Sequence, residues 1–136
     1  MGFDLFVNGT LMRGLALHAN MGDSEFLGEF RTIPRYRLYS INDIHPGMFQ
    51  LEDHEKNGVA VIGELYHVSE STWLKIEAGE PPNLYRGEIM LENNRKVQGI
   101  LYPRNLAENI SLDISEYADW RAYRAASHQG RQTGSK

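Results

Sequence analysis

The chain has 136 residues, of which 41% are hydrophobic, 24% charged and 10% aromatic, the profile of one globular domain able to bury its own core. Its net charge is −4 and its 14 Lys and Arg are scattered, so the clustered basic surface that nucleic acid requires is missing and no nucleic-acid partner is expected. The absence of cysteine excludes a disulfide framework, a thiol nucleophile and a cysteine-ligated zinc.

Residues 3 to 8 are predicted as a first strand that enters the core at once, because Phe3, Leu5, Phe6 and Val7 leave little polar alternation. A glycine-bearing turn, Asn8-Gly9-Thr10-Leu11, follows. Leu15, Leu17 and Met21 share a helical face, predicting a short helix over about 15 to 22 that Gly22 and Asp23 end. A strand resumes from Ser24. In the next one Tyr36, Leu38 and Ser40 alternate with Arg37, Tyr39 and Ile41. Residues 42 to 58 contain Asn-Asp, Pro-Gly and Asn-Gly and are predicted as loop with a short extended piece.

Residues 59 to 68 are β-branched and aromatic, a strong strand signal. Ser69 is an N-cap for a helix with Trp73, Leu74 and Ile76, which Gly79 stops and Pro81-Pro82 cannot continue. Two further strands, 84 to 92 and 96 to 103, are joined by Asn93-Asn94 as a hairpin. Tyr117, Trp120, Tyr123 and Arg124 stand at helical spacing after Ile114-Ser115-Glu116 and predict a C-terminal helix. Residues 127 to 136 lack an apolar anchor and are expected to form a flexible tail, leaving one domain over 1 to 126. The order of elements is α+β, without the regular alternation of a doubly wound sheet. No signal-peptide pattern and no long apolar run is present, so a cytoplasmic protein without a membrane span is expected.

The segments Phe6 to Gly14, Tyr36 to Met48, Val61 to Ile89 and Val97 to Pro103 fall in the order seen in γ-glutamylcyclotransferase-like, or AIG2-like, proteins. The chain resembles that superfamily from residue 5 to 126. Within it the chain is more similar to the C-terminal domain of allophanate hydrolases, on Gly9 to Leu17, Tyr36 to Tyr39, Pro81 to Leu84 and Trp120 to Tyr123. The resemblance implies a γ-glutamylcyclotransferase-like fold: a small mixed β-sheet or barrel with short helices and a C-terminal helix. Function does not follow from fold alone.

In the cyclotransferases the Gly-Thr-Leu turn holds the γ-glutamyl part of the substrate, which implies substrate binding by Asn8, Gly9, Thr10 and Leu11. Converging backbone N–H groups suit an anion. The other reading of the same turn is a plain strand ending, with Asn8 and Gly9 chosen for tolerance of unusual φ/ψ. Cyclisation of a γ-glutamyl amide lets the substrate's own amine attack its own carbonyl, so one carboxylate of raised pKa suffices to carry the proton. Glu80, just before the double proline, is the candidate, with Glu77 as the alternative; the spacing implied between the acid and Tyr85-Arg86 falls between these two. Tyr85 and Arg86 complete the substrate-binding set. Arg86 either grips a substrate carboxylate bidentately or pairs with a neighbour on its sheet.

Two positions depart from the pattern. Asn8 replaces the family's Tyr, and Leu11 stands where the allophanate hydrolase domain carries a His implicated in decarboxylation, so no imidazole comes from that position. His18 and His45, isolated in helix or loop, read as surface residues. Asp53, His54 and Glu55 are consecutive and do not make a metal site; no metal and no cofactor is expected. Two functions remain. One is an enzyme acting on a small molecule, a γ-glutamyl amide or a related carbamoyl or urea compound, by intramolecular acyl transfer. The other is a noncatalytic counterpart of the allophanate hydrolase domain, associating with an amidase or with itself as a homo-oligomer.

Overall fold

The computed structural model describes residues 2–134, with Ile110 and residues 128–134 described as backbone only. The first strand, β1 (Gly2–Val7), lies at the centre of a five-stranded sheet. Leu5 and Phe6 are both fully buried, as a strand covered on two faces requires. The chain then makes successive tight turns, Met12 N–H to Gly9 C=O, Leu15 to Met12 and His18 to Leu15, ending in one 3-10 turn, His18–Met21. The helix expected over 15 to 22 is thus reduced to that turn. Leu17 N–H bonds the Thr10 carbonyl and the His18 ring bonds the Leu11 carbonyl, so polar groups that α-helical turns would pair locally are tied back to the glycine turn instead.

β2 (Glu25–Arg31) forms one edge of the sheet, bulged between Phe26 and Gly28. β3 (Tyr36–Ile41) and β4 (His45–Gln50) make a hairpin of their own. Here the expected loop with a short extended piece becomes a full six-residue strand paired to β3. Asn42 and Asp43 adopt φ of 55° and 62°, and Ile44 N–H bonds Ile41 C=O, a primed turn that sets the strands in register. Pro46 fits because β4 is an edge of its sheet, where one missing N–H is tolerated. β5 (Ile62–Ser69) pairs antiparallel with both β1 and β2.

α1 (Glu70–Gly79) starts where expected, with Ser69 Oγ accepting from Thr72 N–H at 3.1 Å. β6 (Tyr85–Met90) and β7 (Lys96–Leu101) form the expected hairpin, and β7 runs parallel to β1. Sheet order is β2-β5-β1-β7-β6. After Pro103 a short helix absent from the sequence reading, α2 (Arg104–Ile110), leads to β8 (Leu112–Asp113), which pairs with β3.

The last helix, α3, is Trp120–Gly134. It begins later than the expected start at Ile114. The Ser115 hydroxyl bonds both the N–H and C=O of Leu38, Ala118 sits at φ 57°, and Asp119 Oδ1 accepts from Arg121 N–H, so Asp119 is the cap that the chain uses. Residues 127–134 of the expected tail are helical backbone, and 135 and 136 lie outside the described residues. Trp73 and Ile76 of α1 and Trp120 and Tyr123 of α3 join Leu5, Phe6 and Leu65 in one core. No helix among the described residues is long and apolar enough to cross a membrane.

Candidate active site

The parallel pair β1 and β7 end side by side, and strand ends of parallel pairs leave a crevice beyond their carboxyl termini. At this end Val7, Asn8, Gly9, Thr10 and Leu11 leave β1 and face Ile100 of β7. The cleft is closed by His45 and Pro46 of β4 and by Glu80 and Leu84 from the segment linking α1 to β6. Its enclosed space is about 20 Å³, room for about one water, and the rest of the cleft opens to solvent. A wider, more open hollow of about 440 Å³ is lined by Glu29, Phe30, Arg31, Ile62, Glu92 and Asn93, with an exposed ion pair between Arg31 and Glu92.

The sequence dictates where Glu80 goes. The helix cannot run into Pro81, and the residue before a proline is pushed to extended backbone; Glu80 has φ −76° and ψ 145°. Its side chain is thereby turned off the helix into a half-buried position beside the glycine turn. Burial of the carboxyl, with no cation beside it, pushes its pKa up to about 7. Glu77 stays exposed on α1 and lines an outer hollow with Trp73 and Tyr85. Tyr85 is 49% exposed there. Arg86 lies on neither wall of the cleft: its guanidinium is 3.6 Å from Glu70 and stacks over Phe3 and Trp73 at 4.4 and 5.0 Å. Of the residues singled out by sequence, Asn8, Gly9, Thr10, Leu11 and Glu80 line the cleft, Glu77 and Tyr85 line the adjoining hollow that shares Glu80, Leu84 and Ile100 with it, and Arg86 lines neither.

Gly9 is required for a reason other than unusual dihedrals. It is not among the glycines of positive φ, but a Cβ there would stand 2.7 Å from both Cδ and Cγ of Pro46. Close approach of the turn to β4 is what excludes a side chain. The amide N–H groups of Gly9, Thr10 and Leu11 donate to no acceptor among the described residues, on a turn that lines the cleft. Asn8 is buried, its Nδ2 donating to Met48 Sδ at 3.5 Å.

Two residues escaped the sequence reading. His45, expected at the surface, is 6% exposed and lines the cleft. The Pro-Gly that follows it disguised β4 as loop. Glu64, at the centre of β5, is 1% exposed and accepts from Arg13 N–H, Arg13 Nε, Arg121 Nη1 and Tyr66 OH at 2.9 to 3.1 Å. Burial alone would raise its pKa, yet the hydrogen bonds from Arg13, Tyr66 and Arg121 outweigh it and hold the carboxyl below its ordinary range. A charged residue inside an otherwise apolar strand was the available signal. Glu64 fixes the segment after the glycine turn, and the start of α3, onto the sheet.

Comparison with known proteins places these features in a family. The model of the allophanate hydrolase C-terminal domain matches residues 3–125. A Vibrio cholerae protein provisionally named a gamma-glutamylcyclotransferase is 37% identical over 87 residues, 63% of this chain and 70% of that protein. The crystal structure of c4763, a uropathogenic E. coli-specific protein, superposes with a TM-score of 0.84 at 37% identity, covering 92% of this chain and 97% of that one. Allophanate hydrolase of Kluyveromyces lactis shares the fold at a TM-score of 0.82 and 22% identity; 93% of this chain covers 21% of that longer protein. The five-stranded mixed sheet, the three-stranded antiparallel sheet, the short helices and the C-terminal helix are therefore the expected γ-glutamylcyclotransferase-like α+β fold. With the match running almost from end to end, the chain belongs to the allophanate hydrolase C-terminal domain family.

Proposed function

We propose that the cleft is the active site of a small-molecule enzyme that acts on a γ-glutamyl amide, or a related carbamoyl or urea compound, by intramolecular acyl transfer with Glu80 as general acid and base. The observation that carries this reading is a half-buried carboxyl with a pKa of about 7 on the same small cleft as the Asn8–Leu11 turn. A group poised near neutrality both takes and returns a proton.

On a γ-glutamyl amide, the Glu80 carboxylate removes a proton from the substrate ammonium. The freed amine attacks the γ-carbonyl carbon, forming the ring C–N bond and a tetrahedral oxyanion. The bond to the leaving nitrogen breaks as Glu80 returns the proton to it, and the freed Glu80 carboxylate then takes the second proton from the cationic ring nitrogen and passes it to the departing amine. The products are 5-oxoproline and an ammonium ion, so both protons lost by the substrate ammonium end on the leaving nitrogen and the count balances. The free N–H groups of Gly9, Thr10 and Leu11 suit the substrate carboxylate. Folding the substrate onto itself in a tight cleft supplies much of the rate.

The test is release of 5-oxoproline from γ-glutamyl amides, or of ammonia from carbamoyl compounds, by the pure protein. Glu80→Gln should lower kcat by about 100-fold or more, and Glu77→Gln should leave it near the wild type. Equal activity in Glu80→Gln and the wild type removes Glu80 from the chemistry. A second reading rests on the K. lactis structure, where the same fold is one part of a longer hydrolase: a noncatalytic domain that binds an amidase or itself. Turnover by a monomeric pure protein would exclude it.

A further inference from the structure

The acyl transfer above leaves one cleft residue without a task. His45 opens β4 opposite Ile41, is 6% exposed, and shares the cleft with Glu80 and Asn8. Its Nδ1 is 2.9 Å from the Pro46 carbonyl oxygen. A carbonyl oxygen only accepts, so Nδ1 carries the hydrogen and donates it, and in the neutral ring Nε2 is a bare lone pair. Burial lowers the pKa of the ring, which favours that neutral form. On its other side the ring meets Tyr102 edge-on, with centroids 6.0 Å apart. Backbone hydrogen bond and aromatic contact together fix its orientation.

Nε2 has no hydrogen-bond partner among the described residues. No fully buried side-chain nitrogen or oxygen among the described residues lacks one, so Nε2 must reach space outside the protein, and the cleft is the opening that His45 lines. The wall around it has no Lys or Arg. Its remaining polar side chains, Asn8, Thr10 and Glu80, come from other segments. The cleft therefore presents a fixed acceptor, aimed by β4, in addition to the acid and the backbone donors.

We propose that His45 touches the substrate, its Nε2 accepting a hydrogen bond from an N–H group beside the reacting acyl carbon, and that this bond selects compounds bearing a free amine or unsubstituted amide nitrogen there. The assignment rests on the reading of the cleft as an acyl-transfer site. His45 transfers no proton in this scheme. It holds the nitrogen in place while Glu80 handles the proton.

The probes are 5-oxo-L-proline, which carries the ring N–H, and its N-methyl analogue, which does not. In long-range 1H–15N spectra of the full-length protein, 5-oxo-L-proline should shift the His45 Nε2 resonance and the N-methyl compound should not. The wild type should prefer the N–H compound by about three- to tenfold, the value of one such hydrogen bond. His45→Ala should lose that preference, and His45→Gln, whose amide oxygen also accepts, should recover part of it. Thermal melting checks that both variants fold; should either not, the wild-type spectra decide alone. If 5-oxo-L-proline shifts the Gly9 to Leu11 amides while Nε2 stays still, the role of His45 is overturned and the acyl-transfer reading survives. If no resonance responds to either probe, both are overturned.

Discussion

Glu80→Gln should make the protein more stable at pH 8 and leave its stability unchanged at pH 4. Burial raises the Glu80 carboxyl from its ordinary 4.5 to about 7, so the folded state favours the protonated form. Below about pH 4.5 the folded and unfolded chains both hold the proton and the group costs nothing. Between 4.5 and 7 only the unfolded chain releases it, and stability falls as the pH rises. Above 7 the folded protein carries the full cost of an unpaired, half-buried charge. The gap corresponds to about 3 kcal/mol at roughly 1.4 kcal/mol per pH unit, reduced to about 2 kcal/mol where the carboxyl still meets water in the cleft. Gln keeps the shape and removes the charge. Urea unfolding at pH 4, 6 and 8, followed by the fluorescence of buried Trp73 and Trp120, measures the difference between variant and wild type. Other titrating groups cancel in that difference. An advantage for Gln of equal size at pH 4 and pH 8 would refute the argument, because it would have to come from packing.

Gly9→Ala places a methyl group 2.7 Å from the Pro46 ring, which is held in β4 and cannot swing aside; a loss of about 1–3 kcal/mol in urea unfolding is expected, together with loss of ligand binding by calorimetry. Glu64→Gln takes the buried carboxylate from Arg13 and Arg121, leaving Arg13 only the exposed Glu29 at 4.0 Å. Their side chains are 50% and 36% exposed and regain some water, so about 2–3 kcal/mol is expected at pH 7 rather than the 3–5 kcal/mol of a fully buried broken pair. Because the folded pKa of Glu64 is lowered, its contribution is present above the ordinary carboxyl value and lost as pH falls through the folded one, so the deficit of Glu64→Gln should shrink on acidification. Ser69→Ala removes the acceptor for Thr72 N–H and should cost about 1 kcal/mol in chemical unfolding, with the cleft intact and activity unchanged.

What the sequence revealed about the fold follows local physics. β5 and α1 are legible because β-branched residues, a serine cap and a double proline each act within a few residues. β4 is not, because what makes His-Pro-Gly-Met-Phe-Gln a strand is its pairing with β3 through a primed turn at Asn42-Asp43. Pro46 and Gly47 argue for a loop until an edge position and close neighbours are known. The start of α3 was displaced for a similar reason: Ser115, six positions short of Arg121, is held by Leu38 from another strand, a contact between residues far apart in the chain. The candidate site was read through the resemblance to the cyclotransferases, since local signals alone leave the glycine turn a plain strand ending. Asn8 to Leu11 and Glu80 follow from the matched motifs, whereas His45 enters the cleft only through the hairpin, and Arg86 stays out of it because its guanidinium is held by Glu70 and stacks over Phe3 and Trp73.

Two carboxylates separate the tasks of holding the fold and doing chemistry. Glu64 is the more deeply buried, yet two arginines, a tyrosine hydroxyl and a backbone N–H keep it charged. Such a group is spent on position: its lone pairs are occupied, and moving a proton onto it would break the bonds that fasten the turn to the sheet. Glu80 has no cation and no hydrogen-bond donor to its side chain among the described residues, so burial acts on it unopposed. The environment that makes it costly to the fold above neutral pH is the one that brings its pKa to the range in which proton exchange is efficient. An added cation would reverse this. Leu84→Lys, placing an ammonium on the cleft wall beside Glu80, should return the carboxyl toward its ordinary value. The pH profile of turnover should then extend to lower pH while the rate per active site falls, since the weakened base has less affinity for the proton it must take. A profile with an unmoved acidic limb would show that the titration seen in turnover belongs to another group.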